Sequence, residues 1–157
     1  MFRFLSIAML SFGMLGCQNL KSSDLIGTWV VTDESRQRLL PGSQRKGAAK
    51  IMLDANGTFV ASEVPEDMLY GAPEVADRLF GPSESAERLV TGNGVWKLAS
   101  REGRQLVELE FRAITVGKRG RLPSGAQFEV SGGLSAVSLY YFQGDPDRGR
   151  RVAFERQ

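Results

Sequence analysis

The chain has 157 residues, of which 20 are Lys or Arg, 18 are Asp or Glu, none is His and one is Cys. The near balance of charge argues against a general nucleic-acid-binding protein, and the lack of His removes the side chain best suited to proton transfer near neutral pH. The sequence contains no nucleophile elbow, P-loop, dinucleotide fingerprint or zinc-ligand spacing. We therefore expect a protein that is not an enzyme and uses no cofactor, with a carboxylate-based hydrolase as the remote alternative.

The N-terminal segment, residues 1–16, has the pattern of an export signal. A short positive start that ends at Arg3 precedes a mostly apolar stretch at 4–15. A membrane-spanning helix needs roughly 18 to 20 apolar residues, so this stretch is too short to be an anchor. It predicts a signal peptide.

The single cysteine, Cys17, ends the sequence MLGC. Residues 14–17 resemble a bacterial lipobox, with Met where Leu is usual, which implies that Cys17 is joined to diacylglycerol and becomes the new N-terminus. Lipidation would also remove a reactive unpaired thiol from an exported protein. The alternative is an ordinary secretory signal followed by a chance Cys. In a Gram-negative cell, Gln18 at the next position indicates the outer membrane, facing the periplasm.

Beyond a short tether at 17–24, residues 25–157 predict one domain of short strands separated by turn signals. The clearest strand has Val107, Leu109 and Phe111 on one face and charged residues on the other. Tight hairpin turns are expected at 54–57 and 101–103. The predicted strands are 25–32, 48–54, 58–64, 92–100, 104–113, 126–131, 135–143 and 149–156. An even number of strands lets an antiparallel meander close, so we expect an all-β up-and-down barrel of about eight strands, with an open β-sandwich as the alternative.

Near the start of the first strand, Gly27-Thr28-Trp29 resembles the G-x-W signature of lipocalins and related calycin barrels. The hairpin layout of 24–157 corresponds to that family. The resemblance implies that Trp29 packs across the closed end of the barrel beneath an Arg of the last strand, either Arg156 or Arg150. The T-D-Y signature of lipocalins is missing, so the expected domain is lipocalin-like.

In a meander the connections alternate between the two ends of the barrel. The predicted long loops, at 33–47, 65–91, 114–125 and 144–148, then share one end, which we call the mouth. The tight turns at 55–57, 101–103 and 132–134 share the other end, which we call the base. The segment 65–91 is too long for a hairpin turn and carries Pro and acidic residues ahead of apolar ones, which predicts a short helical insert. Met68, Leu69, Leu79 and Phe80 either cover the mouth or pack on the outer wall.

The predicted mouth loops are rich in basic residues. Clustered Arg side chains suit carboxylate or phosphate recognition because their planar fork binds in a bidentate way. The alternative is that these residues are simply solvated and keep the protein soluble. The expected ligand-binding rim is Arg36, Arg38, Arg45, Lys46, Lys118, Arg119, Arg121 and Arg148.

The predicted barrel interior includes Trp96, Phe111 and Tyr141, which we expect to contact a bound ligand. An eight-stranded barrel is just wide enough either to fill itself with side chains or to hold one small ligand, and lining and filling residues look alike in sequence. The acidic motifs GDPD (144–147) and DANG (54–57) lack the six or more ligands of a calcium loop, so no metal site is predicted.

The sequence favours a membrane-anchored envelope lipoprotein that binds a small amphipathic or anionic ligand in a β-barrel mouth. The competing hypothesis is a protein-interaction module, such as an envelope chaperone or a hydrolase inhibitor, whose barrel is filled.

Overall fold

The computed structural model describes residues 20–39, 49–69, 89–115, 125–133, 136–142 and 151–157. These residues form eight antiparallel strands in chain order around one closed barrel. The strands are β1 (Gly27–Val31), β2 (Lys50–Leu53), β3 (Thr58–Pro65), β4 (Leu89–Arg101), β5 (Arg104–Thr115), β6 (Gly125–Ser131), β7 (Ser138–Phe142) and β8 (Arg151–Arg156).

The first and last strands close the ring. Trp29 pairs with Arg156 and Val31 pairs with Phe154, while every other strand pairs with its neighbour in the chain. This closure confirms the predicted up-and-down barrel and excludes the open β-sandwich. The fold is compatible with the lipocalin-like barrel that the G-x-W resemblance implies.

The core is formed by the alternating inward-facing residues of the strands, as the sequence predicts. In β2 the inward residues Ile51 and Leu53 are buried, whereas Lys50 and Met52 face solvent. Strand β5 buries Val107, Leu109 and Phe111. Apolar residues at every second position of each strand therefore form one core inside the barrel.

The tight turns lie at the base. Gly57 and Gly103 have φ of 79° and 76° in the turns after β2 and β4, a backbone conformation that glycine adopts without steric cost. The connection between β6 and β7 leaves from the same end. The four other connections therefore join strand ends at the mouth, as the meander predicts.

Two short helices lie at the mouth end within the part of the chain that the structure describes. Asp33–Leu39 forms an α-helix, α1. The sequence predicts a loop at 33–47, so this helix is a difference from the expectation. Within the predicted insert, Glu66–Leu69 forms a 3-10 helix, and residues 70–88 lie outside the described part of the chain. In the described residues no helix has the length and apolar character needed to cross a membrane.

Helix α1 completes the seam between β1 and β8. The Thr32 backbone N–H donates to the Ala153 carbonyl at 2.9 Å, and the Ala153 N–H donates to Ser35 Oγ at 2.9 Å. Ser35 is the buried polar residue of this junction and also contacts Thr32 Oγ1 at 3.0 Å. A side chain from α1 thus accepts a hydrogen bond from β8 just beyond the end of the β1 ladder.

Candidate functional site

The three interior residues expected to contact ligand all lie in the packed core. Phe111 is fully buried and meets Phe59 edge to face, with ring centroids 4.8 Å apart. Tyr141 meets Phe128 in the same way at 5.8 Å. Trp96 is buried and its Nε1 donates to the Asp54 carbonyl at 2.9 Å.

Two glycines show how closely the interior is filled. A Cβ on Gly94 would lie 2.9 Å from Phe59 Cε1 and 1.9 Å from the Glu110 carbonyl oxygen. A Cβ on Gly92 would lie 2.8 Å from Phe111 Cδ1. The aromatic rings therefore occupy the space that side chains on β4 would otherwise fill, as expected for an interior packed at the density of an organic crystal.

Both ends of this core are covered by apolar side chains. Met68 and Leu69 are buried in the same cluster as the interior rings, and their 3-10 helix follows β3 and contacts β6 on the far side of the barrel. These two residues therefore cover the mouth. At the base, the 3-10 helix Ser22–Leu25 places Leu25 in the core, where it is fully buried.

The residues expected at the closed end lie together. The guanidinium carbon of Arg156 is 5.1 Å from the Trp29 ring centroid, and Arg156 Nη2 also donates to the Asp24 carbonyl. Trp29 Nε1 donates to the Leu25 carbonyl at 2.9 Å. Gly27 has φ of 140°, a conformation that other residues rarely adopt, and lies against the Arg156 side chain. Arg150 lies outside the described residues.

The expected basic rim is described only in part. Arg36 lies in α1 and forms an ion pair with Asp33, one turn earlier. Arg38 belongs to the same helix by its backbone. The remaining rim residues and the lipidation site lie outside the described residues: Arg45, Lys46, Lys118, Arg119, Arg121, Arg148 and Cys17.

A cluster that sequence reasoning missed lies on the outward face of β4 to β7. It is built around two carboxylates, and we call it the outer-wall cluster: Lys97, Arg101, Arg104, Glu108, Glu129 and Tyr140. The first carboxylate, Glu108, accepts from Lys97 Nζ at 3.0 Å and from Arg101 Nη2. Its side chain is only 13% exposed.

The second carboxylate, Glu129, is held in a similar way. Arg104 Nη1 donates to Oε1 at 2.9 Å and the Tyr140 hydroxyl donates to Oε2 at 2.7 Å. The Tyr140 ring lies 5.3 Å from the Arg151 guanidinium carbon and meets Phe142 edge to face at 5.6 Å. The two glutamates are thus enclosed by cations and by an aromatic ring.

The ionisation of the cluster follows from these contacts. The hydrogen bond from Lys97 and the positive charge of Arg101 hold the pKa of Glu108 below its ordinary value, against partial desolvation. Desolvation raises the pKa of Tyr140, and its hydrogen bond to Glu129 raises it further. At neutral pH Glu108 is therefore an ionised acceptor and Tyr140 is a neutral donor.

A cavity of about 810 Å³ lies against this wall. Most of its lining residues face outward from β4 to β7, and they include Lys97, Arg104, Glu129 and Tyr140. Buried Leu106 lies at its floor, between Ala99 and Glu129 in the register. The cavity also reaches inward residues beside β6: Met68, Trp96, Leu109, Ala126 and Tyr141.

The cavity lies beside the end of the described ladder between β6 and β7. Strands β6 and β7 pair from Glu129 to Ser131 with Ser138 to Tyr140. Residues 125–128 of β6 pair with β5, and among the described residues they have no strand partner on the side of β7. Tyr141 and Phe142 pair only with β8 in the described ladder. The described ladder between β6 and β7 therefore ends beside the outer-wall cluster.

The DANG motif forms the turn between β2 and β3. Asn56 Oδ1 accepts from the Thr58 backbone N–H at 2.9 Å, and the Asp54 N–H donates to the Thr58 carbonyl. Within the described ranges no three His, Cys, Asp or Glu side chains are grouped as metal ligands. The GDPD motif lies outside those ranges.

Comparison with known proteins does not assign a family or a function to the chain. Neither a protein-family model, nor a curated protein, nor a solved structure matches the chain.

Proposed function

We propose that this chain is a lipid-anchored protein of a bacterial cell envelope whose filled β-barrel acts as a protein-interaction module. The packed interior is the observation that carries the proposal. Phe59, Phe111 and Phe128 pack inside the barrel, and Met68 and Leu25 cover its two ends. An eight-stranded barrel has room for side chains or for one small ligand, so a filled barrel favours recognition through the outer surface.

The lipobox resemblance of residues 14–17 supports the anchor, and the position of Leu20 indicates how the anchor would orient the barrel. Leu20 is bound by the Gln105 side chain, next to the turn between β4 and β5. Three residues of extended chain span about 10 Å, so a lipid on Cys17 would hold the base close to the bilayer. In a Gram-negative cell, Gln18 favours the outer membrane, facing the periplasm.

The environment of Glu108 argues against the use of this residue as a catalytic acid. A carboxylate-based hydrolase needs an acid whose pKa is raised toward neutrality. Cations instead lower the pKa of Glu108. A role for Glu108 as an ion-pair partner fits this environment better than a role as a general acid.

A second candidate function is binding of a small amphipathic or anionic molecule, which the cavity of about 810 Å³ favours. Ligand pockets in proteins typically measure about 300 to 1,000 Å³. In this alternative the apolar part of the ligand would lie toward Met68 and Tyr141, and its acidic group toward Arg101 and Arg104.

Native mass spectrometry on a chain that begins at residue 18 separates the two candidates. This chain retains every contact described here, because Leu20 is the first described residue. For the interaction module we expect the mass of the apoprotein alone, also after incubation with an envelope extract. A discrete added mass that disappears on organic extraction would favour the carrier instead.

A core truncation provides the second readout. Phe111→Ala removes a fully buried ring, so for a filled barrel we expect a loss of about 3 to 5 kcal/mol in the free energy of unfolding. If the protein is a carrier, Phe111→Ala should instead change its ligand selectivity.

The anchor is tested separately. Cys17→Ser should abolish incorporation of labelled fatty acid and release the chain from membranes. Unchanged membrane association would contradict the lipid anchor.

A further inference from the structure

Among the residues that the structure describes, three large apolar side chains are exposed, and all three lie on one face of the barrel. Ile26, Met52 and Val60 are 37%, 41% and 39% exposed. Met52 is paired with Thr28 on β1 and with Val60 on β3, so these outward side chains are neighbours. Ile26 has an extended backbone and lies two positions before Thr28, so it points to the same face. We call Ile26, Met52 and Val60 the apolar patch.

The patch lies in an uncharged part of the barrel wall. One register row across β1 to β4 consists of Thr28, Met52, Val60 and Asn93. The charged residues of β1 to β3 and of the turn between β2 and β3 are Lys50, Asp54 and Glu63, and none of them lies in this row. Each of these four strands is paired on both sides with described strands, so the wall is continuous.

The apolar patch lies close to the base. Met52 and Val60 form the second residue pair from the turn between β2 and β3, and Ile26 directly follows the 3-10 helix at the base. Because a strand rises about 3.4 Å per residue, this pair lies roughly 7 Å above the turn. Apolar faces of interfacial segments enter a bilayer by about 5 to 10 Å. A base held at the bilayer therefore brings the patch to the depth of the headgroup region.

The small size of the patch favours a bilayer over a protein as its occupant. A specific protein interface takes about 800 Å² from each partner, which three partly exposed side chains cannot supply. A lipid on Cys17 would keep the base at a high effective concentration near the membrane, so a small additional contact is sufficient. Leu20, which Gln105 holds at the base, is only three residues from that lipid.

The charged residues at the base do not favour an electrostatic contact. Lys21 is followed by Asp24, whose carboxylate accepts from the Lys21 backbone N–H at 2.8 Å. Arg104 pairs with Glu102 at 3.4 Å. The described part of the base therefore presents both signs of charge. We expect membrane contact to depend on the apolar side chains and not on the charge of the headgroups.

We propose that the apolar patch lies on the bilayer surface beside the lipid anchor, so that the barrel leans toward its β1–β3 wall. This inference rests on the lipid anchor of the proposed function and adds the face that contacts the membrane. The occupant is phospholipid, with Ile26, Met52 and Val60 among its glycerol and upper acyl groups. The outer-wall cluster lies across the closed barrel and then faces away from the bilayer.

A fluorescent label on the patch tests this contact. Cys17 is the only cysteine, so in the lipidated chain an introduced cysteine is the only free thiol. The label is placed with Val60→Cys, and the matched control is Ser131→Cys, exposed at the base end of β6 on the opposite wall. The chain is purified from bacterial membranes and inserted into phosphatidylcholine nanodiscs with nitroxide-labelled acyl chains. We expect the nitroxides to quench the label at position 60 at least about twofold more than at position 131.

The mass of the purified chain separates failure of this inference from failure of the anchor. If the chain carries lipid and the two positions are quenched equally, or position 131 is quenched more, this inference is overturned and the anchor stands. If the mass shows no lipid, the anchor is overturned and this inference with it.

Polar variants test the chemistry of the contact. Met52→Gln with Val60→Gln, measured through a label placed with Asn93→Cys in the same row, should lower the quenching to that of position 131. Met52→Thr is the milder variant and should give part of this decrease, so the test remains if the double variant is unstable. Glu155→Gln, exposed on β8 beside this wall, is the control and should change nothing. Undiminished quenching in the folded Gln and Thr variants would overturn the proposal.

Lipid composition and photo-crosslinking test the other occupants. Adding phosphatidylglycerol should leave the quenching at position 60 unchanged, and quenching that requires this anionic lipid would overturn an apolar contact. A photo-crosslinker in place of Val60 should give a phospholipid adduct in the cell. A dimer of this chain, or an adduct with another protein in place of phospholipid, would overturn the assignment of the patch to the bilayer.

Discussion

Gln105 holds both backbone polar groups of Leu20 through one side-chain amide. Its Nε2 donates to the Leu20 carbonyl at 2.8 Å, and its Oε1 accepts from the Leu20 N–H at 3.0 Å. Leu20 is buried although it precedes the first strand. Leu20 is therefore fixed to β5 at the base.

Gln105→Ala should release this N-terminal segment. Because two hydrogen bonds to a buried residue are lost, we expect the free energy of unfolding to fall by about 1 to 3 kcal/mol and the Leu20 amide to lose its hydrogen-exchange protection. Gln127→Ala, at an exposed position on β6, is the control and should change neither. Retained protection at Leu20 in Gln105→Ala would mean that burial alone fixes the segment.

Gly94→Ala should disrupt the barrel core. The new Cβ would meet the Glu110 carbonyl oxygen and the Phe59 ring, so β4 and β5 must separate or the ring must move. We expect a loss of about 3 kcal/mol in urea-induced unfolding. Gly133→Ala is the control, since a Cβ there has no atom within 4 Å. Wild-type stability of Gly94→Ala would contradict a tightly filled interior.

Ser35→Ala should weaken the seam between β1 and β8. The change leaves the Ala153 N–H without its acceptor, at a cost of about 1 to 3 kcal/mol in the free energy of unfolding. Faster exchange of the Ala153 amide would report the local opening. Ser35→Thr keeps a hydroxyl and should recover much of the loss, and Gln37→Ala in the same helix should have little effect. Equal losses in the Ala and Thr variants would point to packing instead.

Because of Glu108, the free energy of unfolding should depend on pH under acidic conditions. Its pKa is lowered in the folded state from an ordinary value of 4.5. Its ion pairs therefore stabilise the fold fully above that value, and this contribution is lost as the pH falls through the lower folded pKa. The difference in unfolding free energy between wild type and Glu108→Gln should be constant near neutral pH and shrink below about pH 4.5.

Urea titrations at several pH values measure this difference. Glu110→Gln, at an exposed position on the same strand, is the matched control and should stay close to wild type throughout. A constant difference between wild type and Glu108→Gln down to pH 3 would show that the two cations do not stabilise the carboxylate.

The strands could be predicted because the alternation of apolar and polar residues within each strand shows which side chains point inward. The alternation of Val107, Leu109 and Phe111 needs no knowledge of its neighbours, and the turn at 101–103 fixes where β4 ends and β5 begins. Helix α1 was missed because its seven residues are too few for a periodic pattern, and its seam contact depends on Ala153, far along the chain.

The outer-wall cluster was missed because its members come from four strands. The predicted turn at 101–103 does place Lys97 opposite Glu108, so one ion pair could have been found in the sequence. The contact of Glu129 with Arg104 and Tyr140 depends on the registers of β5 with β6 and of β6 with β7. Those strands are joined by connections whose sequences do not fix the register.

The pairing of β1 with β8 constrains when the ring can form during synthesis. Until residues 151–156 have left the ribosome, β1 can pair only with β2, and the barrel remains an unclosed sheet. Joining strands so distant in the chain is a slow, late step of folding. The chain therefore cannot complete its barrel before its last strand is made, a property that is compatible with the export proposed above.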